Sequence, residues 1–256
     1  MSQLGAPATE QGDKVIIALD CSAKRAYELA DMLENTGCWL KVGMTLYYQD
    51  GPKVVHDLKA RGFKVFVDLK LHDIPHQVRG AAASLVAAGA DMMSIHAVGG
   101  PLMMEAALEG IAKAVMQPAA DGTQPLGTHE PLTLGITVLT SMDDVTLARV
   151  GVTGALDEQV ERLALLSRSA GLSGVVASPL EAKRLRGLLG SEALIVCPGV
   201  RPRGAASGDQ SRVATPRSTL DAGASHLVIG RPVTEAADPV AAFFEIVEEM
   251  GAPALS

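Results

Sequence analysis

FVDLKLHDIP, residues 66–75, is the stretch on which the reading of this chain turns. A β-strand sends successive side chains to opposite faces. Val65, Val67, Leu69 and Leu71 then share one face, while Phe66, Asp68, Lys70 and His72 share the other. One face is greasy and the other carries charge of both signs. Burying an unpaired charge is costly, so a strand of this kind needs charged neighbours. It fits the wall of a site better than a plain core.

Working outward, short β-type runs recur along the chain, each followed by a helical stretch. They are KVIIALD (14–20), WLKVG (39–43), FKVFVDLKL (63–71), DMMSIHA (91–97), LTLGITVL (132–139), SGVVAS (173–178), ALIVCPGV (193–200) and SHLVIGRPV (225–233). Eight strand–helix units within 256 residues predict an α/β fold, a single-domain (β/α)8 TIM barrel spanning 1–256. A doubly wound open sheet is disfavoured, because the turn after the first strand, ALDCSAKRA, holds no G-x-G-x-x-G. Three segments fall outside the rhythm. Residues 1–12 read as a flexible N-terminal tail, 114–132 as a Pro/Gly-rich surface insertion, and 201–216 as a basic loop on the catalytic side of the barrel.

Composition narrows the function. A net charge of −7 argues against a general binder of nucleic acid or membrane surfaces. Cys21, Cys38 and Cys197 are scattered and odd in number, which predicts a reducing, cytoplasmic setting and no structural metal site. The polar start MSQLGAPATEQGD carries no hydrophobic signal region, and no apolar run is long enough for a bilayer.

Barrel enzymes build their sites at the C-terminal ends of strands. There the sequence places Asp20, Lys41, Asp68 and Lys70, with Asp73 just beyond, then Ser94 and His96, Thr140 and Ser141, Pro198 to Arg201, and Gly230 with Arg231. Each has an ordinary reading. Asp20 and Asp73 suit helix caps, and a lone His96 is more often packed than ligating. What sets the group apart is that Lys41, Asp68 and Lys70 fall on inward positions of adjacent strands. Gly199 and Gly230, beside Arg201 and Arg231, suit an oxyanion at the loops after strands seven and eight. A phosphorylated small molecule with a Lys/Asp cluster at its reacting end is the substrate class this predicts.

ALD (18–20), KVG (41–43), FVDLKLHDIP (66–75), TVLTS (137–141), CPGVR (197–201), GDQSRVATP (208–216) and VIGRPVT (228–234) together resemble the bacterial type of the orotidine 5′-phosphate decarboxylase family, over nearly the whole chain. The resemblance implies conversion of orotidine 5′-phosphate to UMP and carbon dioxide in de novo pyrimidine synthesis, without metal or cofactor. Lys70 would protonate C6, within an alternating array of Lys41, Asp68, Lys70 and Asp73. Asp73 and Ile74 would reach into the partner's site of a homodimer. Asp20 and Lys41 would hold ribose hydroxyls, with Thr140 and Ser141 near the ribose or base. Pro198, Arg201, Gln210, Gly230 and Arg231 would surround the nucleotide, the loop 201–216 closing over its phosphate. Where the family usually has Asn-Thr after DIP, this chain has His76 and Gln77, so the threonine's contact would fall to Gln77. The alternatives are a magnesium-dependent hexulose-phosphate synthase or pentose-phosphate epimerase on the same barrel, a Schiff-base aldolase, and a non-catalytic binding barrel. Lys41 stands where a metal enzyme would want an acidic ligand.

Overall fold

The computed structural model describes residues 11–116, 130–202 and 214–251. Eight strands close into a parallel barrel in sequence order: β1 (Val15–Ala18), β2 (Trp39–Gly43), β3 (Lys64–Leu71), β4 (Met92–His96), β5 (Leu132–Ile136), β6 (Gly174–Val176), β7 (Leu194–Pro198) and β8 (His226–Ile229). β8 pairs with β1 to complete the ring. Helices surround it, and the TIM-barrel expectation holds. Most strands are shorter than the apolar runs that announced them. β5 stops at Ile136, and Thr137 then donates its hydroxyl to the Val176 carbonyl at 3.0 Å.

Helix formation follows local chemistry. Ala23–Leu33 starts where the Ser22 hydroxyl accepts from the Arg25 amide, and it buries Ala26, Leu29, Ala30 and Leu33, the i, i+3, i+4, i+7 stripe of an amphipathic helix. The strands divide their side chains between two cores. Val15, Ile17, Leu40, Val65 and Val67 face the helices. Ile16, Ala18, Trp39, Phe66, Met92, Leu134, Val196 and Val228 fill the barrel interior. That inner layer is a packed floor, as in barrels generally. At its base the Trp39 indole donates to Asp13 at 2.9 Å and meets His226 edge-on at 5.7 Å.

Segment boundaries shift from expectation. Gly12 is buried in a short 3-10 turn, Gly12–Lys14, that leads into β1, so it is no part of a tail; residues 1–10 lie outside the described residues. The expected insertion at 114–132 begins inside a helix, Pro101–Met116, and its last residue opens β5, while 117–129 lie outside the described residues. Residues 203–213 of the expected loop 201–216 also lie outside them, although its ends are joined: Val200 bridges to Ala214, and the Arg201 amide donates to the Ala214 carbonyl at 3.0 Å.

The helices Pro75–Ala87 and Pro101–Met116 pack closely because Gly110 faces the backbone of Arg79. A Cβ at Gly110 would lie 2.2 Å from the Arg79 carbonyl oxygen, a clash only backbone movement relieves. Gly110→Ala is therefore expected to destabilise the fold by about 1–3 kcal/mol in a denaturant melt. Gly80→Ala, with open space around its Cβ position, is the control and should be neutral or stabilising by up to about 1 kcal/mol.

Candidate active site

Above the greasy floor, at the C-terminal ends of the strands, lies a cavity of about 620 Å³. Asp20, Lys41, Asp68, Lys70, Thr140, Pro198, Arg201, Gly230 and Arg231 all line it, so the structure brings together residues that run from the end of the first strand to the end of the last. Phe66, Ile136, Val176 and Val228 supply its apolar wall.

The charges form a chain. Lys41 Nζ lies 3.1 Å from Asp20 Oδ1 and 3.5 Å from Asp68 Oδ2. Lys70 Nζ lies 2.9 Å from the same Asp68 Oδ2. One carboxylate oxygen thus faces two ammonium groups. Asp68 Oδ1 accepts the Ser94 hydroxyl at 2.8 Å. Burial alone would raise the Asp68 pKa. The Lys41 and Lys70 charges, with hydrogen bonds from Lys70 and Ser94, outweigh it and hold the carboxyl below its ordinary value. Asp20 is no helix cap: Ser22 caps the helix that follows, leaving the Asp20 carboxylate at the cavity mouth for Lys41. Gly43, at the end of β2, makes room for that pair. A Cβ there would come within 3.0 Å of Asp20 Oδ1 and 3.1 Å of Lys41 Nζ.

Strict alternation along β3 holds through Asp68 and then breaks. Val67 faces Met93 but Leu71 faces Ile95, four steps on β3 against two on β4. Lys70 sits in this irregularity with φ +52°, in the left-handed region that a non-glycine residue adopts at a cost of about 1–3 kcal/mol. Its amide donates to Ser94 Oγ at 2.9 Å. The lysine reaches the cavity through a kink rather than through simple strand parity.

The residues beyond β3 go elsewhere. Asp73, Ile74, His76 and Gln77 are exposed and do not line the cavity of their own chain. Capping does not explain Asp73 either. The helix begins at Pro75 with Ile74 as its N-cap and no side-chain cap, and Asp73 Oδ1 accepts only the next amide, that of Ile74, at 2.6 Å. Ser141 is exposed beside Thr140 and is also outside the cavity lining. Gln210 lies outside the described residues. His96 is half-buried against His72, ring centres 5.3 Å apart, and burial, His72 and Lys70 together push its pKa down. Sequence reasoning missed Cys21 and Arg25 at the cavity edge. Arg25 donates to the Thr234 carbonyl at 3.1 Å and so ties the first helix to the short turn that carries Arg231. No spacing rule joins residues so far apart in sequence.

Residues 13–246 match the model of the orotidine 5′-phosphate decarboxylase / HUMPS family. The chain belongs to this family. An orotidine 5′-phosphate decarboxylase of Moorella thermoacetica is 48% identical over 240 residues, covering 93% of this chain and 92% of that protein. One from Nitrosococcus oceani is 45% identical, covering 93% and 97%. The crystal structure of the Lactobacillus acidophilus orotidine 5′-phosphate decarboxylase superposes with a TM-score of 0.79 at 36% identity, covering 93% of this chain and 99% of that one. The matched span takes in all eight strands and every residue of the charged cavity.

Asp68→Asn should reveal how the array is balanced. It leaves Lys41 and Lys70 facing a neutral amide. The expected loss of stability is about 2 kcal/mol, below the range for breaking fully buried pairs because the Lys70 side chain remains 30% exposed. A carboxyl with a depressed folded-state pKa stabilises above its unfolded value and loses that contribution as pH falls through the folded one. The difference between wild type and variant in denaturant titrations should thus be full at neutral pH and shrink below about 3.8.

Proposed function

We propose that this protein is a carboxy-lyase that converts orotidine 5′-phosphate to UMP and carbon dioxide, a step of pyrimidine biosynthesis. The observation that carries the reading is the single Asp68 oxygen facing Lys41 and Lys70 at the floor of a cavity whose far side carries Arg201, Gly230 and Arg231. Membership of the decarboxylase family supports it.

In this reading the nucleotide lies across the cavity, its phosphate at Gly230, Arg231 and Arg201 and its ribose near Asp20, Lys41 and Thr140. The C6–carboxylate bond breaks, carbon dioxide leaves, and the electron pair stays on C6. The Lys70 ammonium stabilises that charge electrostatically and then transfers a proton from Nζ to C6. Solvent returns a proton to the amine afterwards. Remote phosphate contacts contribute to the rate because their binding energy is available to organise the charged end.

The active unit is a homodimer in which Asp73 and Ile74 complete the partner's array. Support comes from the run His72–Gln77, exposed throughout, with Ile74 at 63% exposure. An apolar and an acidic side chain held out together on a helix start suit an interface. The reaction belongs in the cytoplasm, in keeping with three free thiols. The metal-dependent sugar-phosphate chemistries fit less well, because Lys41 occupies the end of β2 in ion pairs with Asp20 and Asp68.

The test is loss of orotidine 5′-phosphate absorbance with chelator present. Wild type should turn over, and Lys70→Ala should lose about three orders of magnitude or more in kcat. A folded wild type that acts only on sugar phosphates with magnesium would sink the reading. Arg231→Ala, remote from C6, should lower kcat/KM by roughly 100-fold.

A further inference from the structure

Ser94 is fully buried on β4, does not line the cavity, and has no place in the reaction as described. Its hydroxyl nevertheless touches two members of the charged array. A serine hydroxyl has one hydrogen and two lone pairs. The hydrogen goes to Asp68 Oδ1 at 2.8 Å, and a lone pair receives the Lys70 amide at 2.9 Å. Both contacts fall where β3 leaves its regular ladder with β4. The Lys70 amide, turned by the left-handed backbone, finds its acceptor in a side chain.

The first consequence is orientational. With Oδ1 committed to Ser94, the Asp68 carboxylate presents Oδ2 to Lys41 and Lys70 together. The second is conformational. Lys70 holds φ +52° next to the reacting end of the cavity, and such a backbone persists only where its surroundings over-determine it. The Ser94 contact is one such constraint, and it fixes the root from which the Lys70 side chain extends.

We infer that Ser94 is a positioning residue, which through one hydroxyl sets both the carboxylate of Asp68 and the backbone of Lys70. This rests on the decarboxylase reading for its effect on rate, but not for its effect on the two groups. The charged groups around Asp68 are Lys41 from β2 and Lys70 from its own strand, with Asp20 beyond Lys41 and His96 further along β4 near Lys70. Ser94 adds the uncharged contact.

The experiment compares wild type with Ser94→Ala by steady-state kinetics on orotidine 5′-phosphate, by carbon-13 NMR titration of the Asp68 carboxyl, and by hydrogen exchange of the Lys70 amide. Positioning predicts a kcat lower by about 10- to 100-fold with KM nearly unchanged. It also predicts an Asp68 titration moved upward and faster exchange at Lys70. Unaltered titration and exchange would overturn it, whatever the rate. So would an unaltered kcat in an active enzyme. If Ser94→Ala does not fold, Ser94→Cys keeps nearly the same volume with a much weaker donor, and the same readouts decide. A wild type inactive on orotidine 5′-phosphate would refute the functional reading alone, because titration and exchange still report on Ser94.

Discussion

One carboxylate oxygen shared between two ammonium groups is the constraint on which the site depends. Asp68 is nearly out of solvent, where an isolated charge would be heavily penalised. Lys41 and Lys70 make its ionised form the favoured one, and Asp68 in turn lets two like charges approach within one cavity. Asp20 extends the alternation toward solvent through Lys41. None of these groups is a good neighbour alone. Together they form a polar network in which each charge has an opposite charge in contact, the condition under which buried ionic groups are tolerated.

The barrel supplies that condition by layering. Adjacent parallel strands bring inward positions to similar heights, so Trp39 and Phe66 pack in the floor while Lys41 and Asp68, two residues further on each strand, emerge above it. The floor excludes water from below, and the cavity mouth admits substrate from above. The irregular end of β3 then places Lys70 where an unbroken ladder would have run on. Strain is confined to a point flanked on one side by a regular ladder to β2 and on the other by Ser94.

Much of this could be read from sequence because strand parity is a strong signal. Inward placement of Asp68 beside Lys41 followed from alternation, and Asp20, Thr140, Arg201 and Arg231 from other strand ends share its cavity, while Ser94, His96 and Ser141 do not line it. Parity did not reveal the kink at Lys70, since a two-residue irregularity restores the original phase and leaves no trace in the hydrophobic pattern. Nor did it reveal the role of Gly43, whose missing side chain matters only once Asp20 and Lys41 are known to meet. The ordinary capping reading of Asp73 fails for a different cause. Its spacing from Pro75 suits a cap, but the helix starts one residue too late for its carboxylate to reach the helical amides, and Ile74 takes the cap position. The neighbours of a loop residue are set by tertiary structure, which local pattern does not encode.

Charge balance explains why the site needs two ends. Above the floor, Lys41 and Lys70 face the carboxylates of Asp20 and Asp68, so the array of these four groups carries no net charge. An aspartate from a neighbouring chain would tilt it negative. A substrate bearing a carboxylate and a phosphate would then be repelled by the very groups meant to act on it. The cations that attract such a substrate must stand apart from the array, close enough for one small molecule to span both. In the proposed reading Arg201 and Arg231 would meet that requirement: they line the same cavity after β7 and β8, while Asp68 and Lys70 belong to β3. On that reading, attraction at one end and electrostatic tension at the other would be compatible because a closed barrel holds the two ends at a fixed separation.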